Sequence, residues 1–99
     1  MKEFKNKVLV VTGAGSGIGA AIAVEGALRG MKVVINDINP ETIKNTEAKI
    51  KNIGAEVVCC IEDVSTAEGV KAMFDLTMEK FGQVDILVNN AGEIGRAHV

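Results

Sequence analysis

Eight residues near the start of the chain, Thr12-Gly13-Ala14-Gly15-Ser16-Gly17-Ile18-Gly19, are suited to bringing backbone close to a ligand. Glycine at alternate positions lets a tight turn form and keeps Cβ atoms out of the way of a pyrophosphate. The run follows Val8-Leu9-Val10-Val11 and leads into Ala21, Ile22 and Leu28, so it lies between a predicted strand and a predicted helix. In that setting the helix N-terminus offers unpaired N–H groups and partial positive charge to phosphate oxygens. No Lys followed by Ser or Thr closes the run, which excludes a Walker-type phosphate loop. Asp37 lies eighteen residues beyond Gly19, at the end of the next predicted strand. A carboxylate there accepts hydrogen bonds from adenosine ribose hydroxyls and repels a 2′-phosphate. Ser16 and Ile38 supply no cation to hold that phosphate, so the pattern selects NAD over NADP.

The elements that must position these residues alternate regularly. The β-branched run Val8-Leu9-Val10-Val11 predicts a strand buried on both faces. Ile18, Ala21, Ile22 and Leu28 fall at helical spacing, and Gly30 ends that helix. Residues 31–35 predict a second strand. Asn39-Pro40 predicts a helix start, Ile43, Ile50 and Ile53 its apolar stripe, and Gly54 its end. Residues 57–61 predict a third strand. Ser65-Thr66-Ala67-Glu68 has the form of a capping box, followed by a stripe of Val70, Met73, Phe74, Thr77, Met78 and Phe81 up to Gly82. Residues 84–89 predict a fourth strand. Such a βαβαβαβ order gives an α/β fold, one half of a Rossmann-type doubly wound parallel sheet with strand order 3-2-1-4.

Bulk properties narrow the partners. With 99 residues and 47% apolar content the chain makes one domain with a thin core. The net charge of −2, without clustered Lys and Arg, argues against nucleic acid or an anionic membrane. No apolar run near the start is long enough for a signal peptide or a span, so the expected compartment is the cytoplasm. Cys59 and Cys60 are strand neighbours pointing to opposite faces, expected to be inert small hydrophobes. His98 has no cluster of ligating residues around it, and no metal site is expected.

Three signals in order resemble the short-chain dehydrogenases/reductases: Thr12-Gly-x-x-x-Gly17-Ile18-Gly19, Asp63-Val64 after the third strand, and Asn89-Asn90-Ala91-Gly92 after the fourth. The resemblance spans residues 1–92. It implies that Asp63 binds the adenine amino group and the Val64 N–H a ring nitrogen. It also implies that Asn90, Ala91 and Gly92 line the adenosine-ribose and nicotinamide side, while Asn89 braces the fourth strand. The implied activity is hydride transfer between a nicotinamide cofactor and an alcohol or carbonyl substrate, in a homo-oligomeric parent. The family's acid–base residues, a Ser, a Tyr-x-x-x-Lys pair and a helix Asn, lie downstream of the double-Asn motif. This chain contains no Tyr, so no catalytic residue is assigned.

Glu93-Ile94-Gly95-Arg96-Ala97-His98-Val99 is also, apart from the first base of the Glu93 codon, the one-frame translation of the start of a widely used sequencing adapter. The expected division is therefore a cofactor-binding half-domain over 1–92 and a non-native or loop tail over 93–99. Two other functions compete. A methyltransferase using S-adenosylmethionine shares the glycine turn, but an acid usually stands there where this chain has Thr12. A short, non-catalytic dinucleotide-binding module is the other.

Overall fold

The computed structural model describes residues 3–91. Its elements run β1 (Val8–Thr12), α1 (Gly17–Leu28), β2 (Lys32–Asn36), α2 (Pro40–Ile53), β3 (Val57–Cys60), α3 (Ala67–Phe81) and β4 (Ile86–Val88). The four strands form one parallel sheet in the order β3-β2-β1-β4. Register pairs Val10 with Val34 and with Leu87, and Val34 with Val58. The reversal of direction through the sequence, from β3-β2-β1 outward to β4, places a switch point between the ends of β1 and β4.

Both faces of the sheet carry helices. Leu9, Val11, Val33 and Ile35 point to α1 and α2, where Ile43 and Ile50 close the larger core. Val8, Val10, Val34 and Cys60 point the other way and meet Met73 of α3. Full burial of a side chain such as Ile35, Ile43 or Ile50 contributes about 1.5–3 kcal/mol. Burial and then the neighbouring Glu47 carboxylate push the Cys59 thiol up to about 12, which keeps it protonated and unreactive.

The structure departs from the sequence pattern at several local points. Of the apolar residues at helical spacing in α1, Ile22 packs against the core, whereas Ile18 and Leu28 are 72% and 61% exposed. The buried face is Gly19, Ala23, Gly26 and Ala27, because α1 lies so close to β1 that a Cβ on Gly26 would run into Leu9. The N-cap of α3 is Thr66, not Ser65. Asp63 draws the Ser65 hydroxyl and N–H into a local turn, and the Thr66 hydroxyl accepts from Gly69 N–H at 2.9 Å. Met78 of the α3 stripe is half exposed.

Candidate cofactor-binding site

The carboxyl ends of all four strands open on one edge of the sheet, and the residues singled out by sequence collect there. β1 delivers Thr12 and then the turn. Gly13 and Gly17 adopt φ of +64° and +61°, a region that side chains disfavour. Added Cβ atoms would also collide elsewhere in the turn: at Gly15 with Thr42 and Asp37, and at Gly19 with the Gly13 carbonyl and Asn90. The turn can be this compact only without side chains.

The turn hands over to α1, whose N-terminus differs from the other two. Asn39 caps α2 by accepting from Glu41 and Thr42 N–H, Thr66 caps α3, and both helices carry an acid in the first turn. At α1 the Ser16 side chain makes no capping hydrogen bond and the first turn holds no acid. The N–H groups around Ser16, Gly17 and Ile18 and the positive end of the helix dipole are left facing solvent, which suits an anion.

Asp37 stands beside this turn. Its Oδ2 accepts from Gly15 N–H at 2.8 Å and its Oδ1 from Asn39 N–H at 3.2 Å. The carboxylate retains lone pairs for ribose hydroxyls. Next to it, Asn36, Asp37, Ile38, Glu62, Asp63, Val64, Ser65 and Ala91 line a cavity of about 340 Å³. The Ser65 hydroxyl and then its N–H donate to Asp63 and hold its carboxyl below the ordinary aspartate range. Asp37 and Asp63 thus line the same cavity as Ala91.

Thr12 ties β1 to β4 beneath the site. Its hydroxyl donates to Asn89 Oδ1 at 3.0 Å and accepts from Asn90 and Ala91 N–H at 2.8 and 2.9 Å. Asn90 Nδ2 donates to the Gly13 carbonyl at 3.2 Å. Asn89 therefore braces the strand end, while Asn90 clasps the turn from below. Gly92 lies outside the described residues, as does the tail 93–99.

The structure brings Gly13, Gly15, Ser16, Gly17, Ile18, Gly19, Asp37, Asp63, Val64, Asn90 and Ala91 to this one edge. It adds residues to which sequence reasoning assigned no role of their own. Thr12 is a hydrogen-bonding hub. Asn36, buried at the end of β2, donates from Nδ2 to the Cys60 and Glu62 carbonyls and fixes the cavity's wall. Thr42 and Thr46 approach the turn from α2. The signal for Thr46 was a polar residue on the apolar stripe between Ile43 and Ile50.

Comparison with known proteins places this architecture. The short chain dehydrogenase family model matches residues 7–99. The CLA biosynthesis dehydrogenase/reductase of Lactiplantibacillus plantarum is 46% identical over 92 residues, 93% of this chain and 32% of that protein. The 7alpha-hydroxysteroid dehydrogenase of Escherichia coli K12 is 40% identical over 87% of this chain and 34% of its own length. Among solved structures, a short chain dehydrogenase/reductase from Burkholderia phymatum in complex with NAD superposes with a TM-score of 0.83 at 44% identity, covering 88% of this chain and 31% of that one. NAD+-bound xylitol dehydrogenase superposes at 0.87 with 38% identity, over 91% of this chain and 35% of the other. The chain belongs to the short chain dehydrogenase family and spans about a third of the length of the curated relatives it matches. The methyltransferase and free-standing-module readings are not favoured.

Proposed function

We propose that this chain is the NAD(H)-binding part of an oxidoreductase that moves hydride between an alcohol or carbonyl substrate and the cofactor. The observation that carries the reading is the pairing of an uncapped α1 N-terminus with Asp37, which is hydrogen-bonded to the adjoining Gly15 N–H at 2.8 Å. The first feature fits a pyrophosphate and the second an adenosine ribose bearing a free 2′-hydroxyl. Gly13, Gly15, Gly17 and Gly19 leave room for the pyrophosphate to approach, and Ser16 and Ile18 present backbone donors. Asp63 and Val64 would take the adenine, with Ala91, Asn90 and Gly92 along the ribose and nicotinamide side. When bound, the nicotinamide supplies the hydride chemistry.

The residues of this chain hold, orient and select the cofactor. Proton exchange with the substrate is assigned to none of them, because the family resemblance places the acid–base residues beyond the double-Asn motif and the chain contains no Tyr. The reading extends to a binding unit over 1–92, a foreign or loop tail over 93–99, and a cytoplasmic, homo-oligomeric parent without nucleic-acid or membrane partners. The charge of −2 supports this, and among the described residues no helix is long and apolar enough to cross a membrane. Fluorescence titration with NADH and NADPH tests the reading. NADH binds more tightly to the unmodified chain, and Asp37→Ala narrows the difference by removing repulsion toward the 2′-phosphate. Equal affinities in the unmodified chain contradict it.

A further inference from the structure

Two helical threonines are buried, and they satisfy their hydroxyls in different ways. Thr77 donates back to the Met73 carbonyl within α3 at 2.8 Å, the common local solution. Thr46, 2% exposed between Ile43 and Ile50 on the inner face of α2, reaches out of its helix. Its Oγ1 donates to the Ala14 carbonyl at 2.8 Å, with the Gly15 carbonyl 3.4 Å away. Ala14 is fully buried, and its N–H donates to the Asn36 carbonyl at 2.8 Å. The first peptides of the turn are thus anchored from β2 on one side and α2 on the other.

The planarity of the peptide gives this contact a consequence. In a trans peptide the C=O and N–H point in opposite directions. The Ala14 carbonyl and the Gly15 N–H belong to the same unit. With the carbonyl held by Thr46, the N–H is directed away from it, and it lands on Asp37 Oδ2 at 2.8 Å. One peptide therefore bridges a buried hydroxyl and the carboxylate that faces the ribose. Thr42, one turn earlier on α2, fills the space where a Gly15 side chain would stand and keeps that peptide seated. A valine at position 46 would pack as well as threonine without burying a hydroxyl, but it would strand the Ala14 carbonyl.

We infer that Thr46 is a positioning residue that determines cofactor specificity: through the Ala14–Gly15 peptide it fixes the Asp37 carboxylate, and so the preference for a ribose 2′-hydroxyl over a 2′-phosphate. The inference rests on the NAD(H) reading above. It is tested by titrating NADH and NADPH into the unmodified chain and into Thr46→Val and Thr46→Ser, with each fold checked by circular dichroism. Thr46→Val weakens NADH binding about five- to tenfold while changing NADPH binding less than about twofold, so the preference narrows. Thr46→Ser, which keeps the donor, retains the preference. A folded Thr46→Val with an unchanged NADH/NADPH ratio overturns the inference, as does a Thr46→Ser that narrows the ratio equally. Should Thr46→Val not fold, Thr46→Ser and Thr46→Ala ask the same question of the hydroxyl: a higher ratio in Ser supports the inference, and equal ratios overturn it. An unmodified chain that binds no NADH brings down the underlying reading, an outcome visible before any variant is compared.

Discussion

A Cβ on Gly19 would collide with the Gly13 carbonyl and press on Asn90 Nδ2, whereas one on Gly17 would meet nothing within 4 Å. Gly17 is needed for its φ of +61°, and a side chain there costs about 1–2 kcal/mol of backbone strain. At Gly19 the obstacle is fixed backbone, so the turn itself must shift, adding an overpacking cost of about 1–3 kcal/mol and breaking the Asn90 clasp. Gly19→Ala is therefore expected to lower stability more than Gly17→Ala. Urea unfolding of the two variants checks the order, and equal midpoints at equal slopes would contradict it. The glycines were legible in the sequence as a turn that brings backbone close to a ligand. Their separate reasons were not, because a one-letter pattern does not say which Cβ meets backbone and which meets solvent. The role of Thr12 was hidden for a similar reason, since its three hydrogen bonds reach residues 77 to 79 positions away.

Among the elements, β4 is held to the sheet at its start by a reciprocal pair. The Val8 N–H donates to Asp85 Oδ2 at 2.8 Å, and the Asp85 N–H donates to the Val8 carbonyl at 3.0 Å. The Val8 N–H is the main cause that holds the Asp85 carboxyl below its ordinary range, with Gln83 and Lys7 adding smaller effects. A carboxyl whose folded pKa is depressed contributes stability above its unfolded pKa and loses it as the pH falls through the folded value. Between about pH 5 and pH 2 the unmodified chain should therefore lose stability more steeply than Asp85→Asn. Parallel thermal melts across that range check this, and superimposable pH profiles would contradict it. The elements themselves were readable because β-branched runs, caps and terminal glycines agree with one another along the chain. The α1 face was misread because its close packing against β1 selects Gly19, Ala23, Gly26 and Ala27, and small residues leave no hydropathic stripe. α2 showed its buried Ile43 and Ile50 plainly, although Ile53 at the end of the expected stripe is 36% exposed.

For the molecule as a whole, four parallel strands and helices on both faces put the candidate cofactor-binding residues at one end of the sheet, around the point where the strand order reverses. The opposite end also has a hollow, lined by Leu28, Gly30, Ile53, Gly54 and Glu56 among others, but the helix ends that meet there are the C-termini of α1 and α2, whose dipoles disfavour an anion. The central claim is thus one of location: NADH binds at the carboxyl ends of the strands and nowhere else. The most direct measurement is an NMR titration of the isotope-labelled chain with NADH, following backbone amides. The account predicts shifts concentrated at Gly13, Gly15, Ser16, Gly17, Ile18, Asp37, Val64 and Ala91, with Leu28, Ile53 and Gly54 unmoved. No shifts at millimolar NADH, or shifts centred on Leu28, Ile53 and Gly54, would contradict it.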